Sequence, residues 1–141
     1  MRLWHYKLIP VLPDKMLVAQ WREIIAIKRQ WEKGTLKHRL VSYVMNYDKT
    51  IFVEYVGRVY NECLKRNIKI RDKYWFEFLK FCDINYDFEK KNIYPEHNDR
   101  YLRECLYNLE EKATRGIINK EEWQKIYNKY KDKFDLWDGE E

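Results

Sequence analysis

Two groups within the first 23 residues, MRLWHYKLIPVLPDKMLVAQWRE, are of types that together do covalent chemistry: the α-amine of Met1 and the carboxylate of Glu23, which closes the triplet Trp21-Arg22-Glu23. An α-amine is the least basic amine a protein has, with a pKa near 8 against roughly 10.4 for lysine. Partly neutral at pH 7, it has a lone pair with which to attack a carbon centre, and a carboxylate on a nearby helix would steer the protons. The pairing predicts a covalent enzyme.

Positioning the two groups falls to the elements around them. Residues 1–13 read as extended or irregular, with Pro10 and Pro13 leading to Asp14 as the N-cap of a helix that runs to about Trp31 or Lys33 and stops at Gly34. Leu17, Trp21, Ile24, Lys28 and Trp31 share one face of it at 3.6-residue spacing. Glu23 lies on another face between Ala19 and Ala26, whose small side chains leave space above its carboxylate. Residues 35–47, TLKHRLVSYVMNY, form a connector of apolar, β-branched and extended character.

A second helix is expected over Lys49–Lys65, burying Phe52, Tyr55, Val56, Val59 and Cys63, and a third over Asp72–Cys82. The third is so aromatic (Tyr74, Trp75, Phe76, Phe78, Phe81) that core packing is its default explanation, with base stacking open to one ring. A polar loop over 83–97 precedes a fourth helix, capped by Asn98 or Asp99 and stopped by Gly116. Leu102, Cys105, Leu106 and Leu109 form its buried stripe, and Asn108, Lys112 and Arg115 its other side. A last helix opens with the capping pair Asn119 and Glu122 and buries Trp123, Ile126, Tyr127, Tyr130 and Phe134, before an acidic tail that frays from Asp135. No repeat, low-complexity tract or linker interrupts the pattern. The expected architecture is mainly α, one compact helical domain over residues 1–141 with four to five helices and an extended N-terminal segment.

Composition narrows the function. The net charge is +5, but residues 1–71 carry 15 Lys/Arg against 6 Asp/Glu (+9), whereas residues 72–141 carry 13 against 17 (−4). A basic half suits a polyanion, and Lys28, Arg29, Lys33, Lys37, His38 and Arg39 are its densest run, though a solvated lysine-rich surface would read the same way. Cys63, Cys82 and Cys105 are widely spaced and include no C-x-x-C pair, so reduced, buried thiols are expected. With only His5, His38 and His97, none paired at ligand spacing, no metal site is expected. No apolar run approaches the ~20 residues of a membrane span and no secretory signal opens the chain, so a soluble, cytoplasmic protein is expected.

Several stretches run collinearly over most of residues 1–112: Leu17, Ala19 and Trp21-Arg22-Glu23; Tyr47-Asp48-Lys49 followed by Glu62-Cys63-Leu64-Lys65-Arg66; and Leu109-Glu110-Glu111-Lys112 after Tyr94-Pro95-Glu96-His97. In this set the chain resembles the pyrimidine dimer DNA glycosylase family. The resemblance implies a DNA repair glycosylase with associated AP lyase activity, acting as a monomer without cofactor or metal on double-stranded DNA that carries a damaged base. In the family the N-terminal amine attacks C1′ of the damaged nucleotide and displaces the base to form an imine, and β-elimination then cuts the backbone. Carried over, Met1 is the nucleophile and Glu23 the acid/base that stabilises the cationic imine. Arg22 matches the substrate-contacting arginine beside the glutamate, Arg2 the arginine that follows the nucleophilic residue, and Lys112 a basic residue of the late helix.

His5, Lys37 and His38 complete the expected DNA contacts, as positions of a branch of the family with a shifted substrate. Arg2 is too large for ordinary methionine removal, so Met1 is expected to stay and provide the amine. Two further basic positions of the family fall on Ala26 and Asn108, with Lys28, Arg29, Lys37 and Arg115 as the cations that would compensate. A lesion in duplex DNA reaches such a site only if a nucleotide swings out and the helix bends. The competing expectations are a noncatalytic helical module that binds nucleic acid through the basic half, and a helical protein-interaction domain.

Overall fold

The computed structural model describes residues 1–82 and 93–138, with side chains up to Phe134. Five α-helices follow one another: α1 (Asp14–Glu32), α2 (Lys49–Lys65), α3 (Asp72–Cys82), α4 (Asp99–Thr114) and α5 (Lys120–Asp138), with 3-10 helices at Tyr6–Val11 and Ser42–Asn46. Among the described residues there is no strand, and the fold is all-α.

Local chemistry sets most boundaries. Asp48 caps α2 by accepting from the Thr50 N–H (2.9 Å), and Asn98 caps α4 by accepting from Tyr101 (2.9 Å). Asn119 and Glu122 cap α5 reciprocally, at 3.0 and 2.8 Å. Gly34 and Gly116 end α1 and α4 with φ of 71° and 77°, a region that glycine enters without strain. Two boundaries differ from expectation. Asp14 is the first residue of α1 rather than its cap, the cap being Pro13. α5 runs past Asp135 to Asp138. Of the polar loop expected over 83–97, residues 83–92 lie outside the described part.

Two connecting segments are more regular than their sequences suggest. The connector over 35–47 closes into a 3-10 helix because Val41 and Val44, three residues apart and both fully buried, face one core, which is the repeat of a 3-10 turn. Tyr6–Val11 also winds into a 3-10 helix. His5 caps it, its Nδ1 accepting from Lys7 N–H (3.1 Å), and Pro10 inside it supplies a fixed φ compatible with the turn.

Two apolar clusters hold the chain together. The first lies among α1, α2 and α3 around Trp21, Ile24, Phe52, Val56 and Phe78; the second joins α4 and α5 around Leu102, Leu106, Leu109, Ile126 and Phe134. α3 sits tightly on α2, where a Cβ on Gly57 would come within 3.3 Å of the Trp75 ring. The N-terminal segment serves both clusters: Leu3 and Ile9 enter the first, and Trp4, Leu8, Val11 and Leu12 the second. It is a wedge between two cores, so its backbone cannot shift without opening one of them. Arg66 ties its far end to α2, donating to the carbonyls of Ile9 (3.2 Å), Pro10 (3.0 Å) and Leu12 (2.6 Å) and to the carboxylates of Glu62 and Asp14 (both 2.9 Å).

Candidate active site

Because the wedge is fixed, so is the place where the chain begins. Gln20 occupies a fully buried position in the apolar stripe of α1, where its Oε1 accepts from the Trp4 N–H (2.8 Å) and its Nε2 donates to the Arg2 carbonyl (3.0 Å). The Tyr55 hydroxyl, from α2, shares its one proton between the Trp4 carbonyl (2.6 Å) and Gln20 Oε1 (2.9 Å). The Tyr101 hydroxyl, from α4, donates to the Leu3 carbonyl. Three helices therefore grip the backbone of residues 2–4 in one orientation, leaving Met1 exposed at its end. None of the three gripping side chains was anticipated as functional. The one hint in the sequence is Gln20 itself, a polar residue where the helical pattern calls for an apolar one.

Glu23 projects from α1 beside this end of the wedge, half-buried between Ala19 and Ala26. Burial pushes its carboxyl above the ordinary carboxylate range, while the Met1 ammonium, the hydrogen bond from the Arg2 backbone and the charge of His38 pull it back down. The fold thus gathers Met1, Arg2, Glu23 and His38 into one place. A carboxyl held above its usual range beside an amine is equipped to accept and return protons.

The remaining expected contacts separate. The Arg2 side chain borders an open depression of about 550 Å³ with Arg100, Arg103, Glu104, Tyr107 and Asn108 of α4, Arg100 pairing with Glu104 at 3.6 Å. Arg100 and Arg103 thus bring positive charge to the depression that holds Asn108, a convergence the sequence hides because it joins residues about a hundred positions apart. Arg22 is exposed on a different side of α1 and borders a second groove with Arg29, Lys69 and Arg71. Lys37 is exposed, and Lys112 is half-buried one turn beyond Asn108. Lys28, a candidate to replace a missing family cation, is instead buried on the core face of α1 and pairs with Glu32 at 2.7 Å.

His5 requires a correction. It is only 1% exposed, its Nδ1 is taken by the Lys7 N–H, and its ring packs 5.4 Å from that of His97. A ring so enclosed has no edge for a phosphate or base, and its place is in a buried polar cluster. Burial drives the imidazole down to about 4. His97, from the segment before α4, is driven down to about 3, also by burial. Its Nδ1 accepts from the Tyr6 N–H (3.2 Å), which leaves Nε2–H to donate to the Tyr43 hydroxyl (2.8 Å). Cys63, Cys82 and Cys105 are free, buried thiols. Among the described residues no group of three or more His, Cys, Asp or Glu is placed to hold a metal ion, and no helix is long and apolar enough to cross a membrane.

Comparison with known families gives one match: the family model of pyrimidine dimer DNA glycosylases aligns with residues 1–75, more than half of the chain. The chain belongs to the pyrimidine dimer DNA glycosylase family. Neither the curated proteins nor the solved structures contain a match. The matched span holds Met1, Arg2, Gln20, Arg22, Glu23, His38 and Tyr55, whereas the cations of α4 lie beyond it.

For this member of the family two consequences follow from the packing of its N-terminus. Tyr55→Phe leaves the Trp4 carbonyl and Gln20 short of a donor inside the core, and is expected to lower stability by about 1–3 kcal/mol. The loosened wedge is also expected to slow reaction of the amine by about tenfold or more. Urea unfolding and single-turnover assays check the two effects, and a destabilised variant reacting at full rate would show that the grip is structural only.

The buried imidazoles govern acid stability. Their folded values lie below the ordinary 6.5, so between about pH 3 and 6.5 the unfolded chain binds more protons than the folded one. Stability is therefore expected to fall as pH falls through that window, by about 2 kcal/mol at pH 5 for one imidazole. His5→Asn keeps an acceptor for the Lys7 N–H but removes one titrating group. The difference between its urea midpoints at pH 7 and pH 5 is expected to be smaller than the wild type's, and an unchanged difference would contradict the assignment.

Proposed function

We propose that the protein is a DNA glycosylase with associated AP lyase activity, in which the α-amine of Met1 forms an imine with the sugar of a damaged nucleotide. The neutral amine attacks C1′, the bond from C1′ to the base breaks, and the base leaves with the bonding electron pair and a proton. The attacking nitrogen loses its proton as the sugar ring opens to a protonated imine. Removal of a proton from C2′ then expels the 3′ phosphate by β-elimination, and water releases the sugar remnant from the amine. No oxidant, metal or cofactor enters this balance.

Glu23 is assigned the proton transfers and the stabilisation of the cationic imine, for which a carboxylate close to the reacting nitrogen is the fitting group. Arg2 and Arg22, with Lys37, His38 and Lys112, are assigned to DNA, their cations meeting phosphates or the edges of a distorted pair. The observation that carries this proposal is that Gln20 ties the Arg2 carbonyl to α1 (3.0 Å) three residues before Glu23, with the Met1 ammonium acting on the Glu23 carboxyl.

The test is borohydride reduction in the presence of duplexes carrying a pyrimidine dimer, an abasic site or neither. A covalent adduct with the first two and none with the third supports the mechanism. Salt-dependent binding without any adduct would instead support a noncatalytic nucleic-acid module.

A further inference from the structure

Three cations on or just beyond α1 and α2 are paired: Lys28 with Glu32, Arg58 with Glu54, and Arg66 with Glu62 and Asp14. Arg22, Arg29, Lys69 and Arg71 are different. All four are exposed, all four border one groove of about 370 Å³ between α1 and the turn joining α2 to α3, and none has a carboxylate within 4 Å among the described residues. Among the described residues, no acidic one lines this groove. Uncompensated positive charges brought this close repel one another, which an anion seated between them would relieve.

The turn that supplies two of the cations is rigid. Asn67 takes a left-handed conformation (φ 59°) that ends α2, with the Ile68 N–H donating to the Cys63 carbonyl (2.9 Å). Ile68 and Ile70 pack against the first core, so the residues that alternate with them, Lys69 and Arg71, face outward. The groove floor is apolar, formed in part by Trp21 and Ile25, and Arg29 is steered by the Tyr74 ring, 5.9 Å away. The cations are therefore held over a surface of low polarity, where an ionic contact is stronger than in open water.

We propose that this groove is a seat for the DNA backbone, taking consecutive phosphates of the duplex flanking the lesion. Arg22 and Glu23 are neighbours on α1, so the groove and the candidate active site lie on adjoining sides of a single helix. Such a helix is about 10–12 Å across with its side chains. Phosphates follow one another every 3.4 Å or so of duplex axis along each strand, and the groove is accordingly a few nucleotides from the amine. The identity of the ligand rests on the glycosylase assignment; the contact itself needs no chemistry.

The test uses the full chain and an undamaged duplex, with Kd measured between 50 and 200 mM salt. Each phosphate contact adds about 0.9 to the salt slope. The double variant Lys69→Gln/Arg71→Gln is expected to lower that slope by about 1.8 and to raise Kd about tenfold near 0.1 M salt. A control pair of exposed lysines on α5, Lys120→Gln/Lys131→Gln, removes the same net charge and is expected to leave the slope unchanged. An unaltered slope in the groove variant, or an equal loss in both pairs, overturns the proposal. Borohydride trapping of the wild type on a dimer-bearing duplex separates the two assignments, because failure to trap defeats the imine mechanism and leaves the binding measurement standing.

Discussion

Glu23→Gln is expected to reduce adduct formation and strand cleavage by about 10²–10⁴-fold, the range typical of a lost general acid/base, while leaving duplex affinity within about threefold of the wild type. The substitution is nearly isosteric. The N-terminal wedge keeps its place, because residues 2–4 are held through Gln20, Tyr55 and Tyr101. What disappears is the capacity to exchange a proton and to offset the charge of an imine. Folding should not suffer, because burial already disfavours the charged carboxyl and a neutral amide avoids that penalty. Wild-type activity should accordingly fall off on the acid side at a pH above the ordinary carboxylate range of about 4.3. Single-turnover trapping, filter binding and thermal melting of the same preparation distinguish the effects, and a variant with wild-type turnover would remove Glu23 from the chemistry.

Blocking the amine should have an equally large effect by a different route. Acetylation removes the lone pair and is expected to abolish the trapped adduct while duplex binding persists. Extension is more informative. Residues 2–4 are held through Gln20, Tyr55 and Tyr101, so an added residue cannot be absorbed by sliding the segment, and each one displaces the amine by up to about 3.5 Å. Misplacement by about 1 Å can lower a rate 10²-fold, and one added glycine should therefore suppress the adduct nearly as completely as acetylation. Full reactivity of the extended chain would mean that the reacting amine lies elsewhere.

The sequence made the helices legible where local chemistry decides them. α2 and α3 fall on the residues that their apolar spacing marks out, and the caps at Asp48, Asn98 and Asn119 are side chains bonding to backbone two or three residues on. The placement of Glu23 between two alanines was legible for the same reason. Hidden features depend on partners distant in sequence. Nothing near Tyr101 announces that its hydroxyl reaches Leu3, or near His97 that its ring packs against His5. Lys28 reads as part of a basic run, yet a helical turn of Trp21, Ile24 and Lys28 puts its stem in the core and leaves its ammonium to Glu32. The mismatch is between charge, which sequence reveals, and solvent access, which only packing decides.

The convergence of Arg100 and Arg103 on Arg2 belongs to this second kind. Each looks like an ordinary surface charge of an amphipathic helix, and only the docking of α4 on the N-terminal wedge turns them toward the chain's beginning. The depression beside Arg2 therefore takes positive charge from both halves of the protein, Arg100 being offset by its pairing with Glu104.

The most direct measurement is peptide mass analysis of the borohydride-reduced adduct formed on a dimer-bearing duplex. The proposed mechanism predicts a sugar remnant attached to the α-nitrogen of Met1, with every lysine unmodified. A remnant on a lysine side chain, or a fully cleaved duplex with no remnant on the protein, would contradict it.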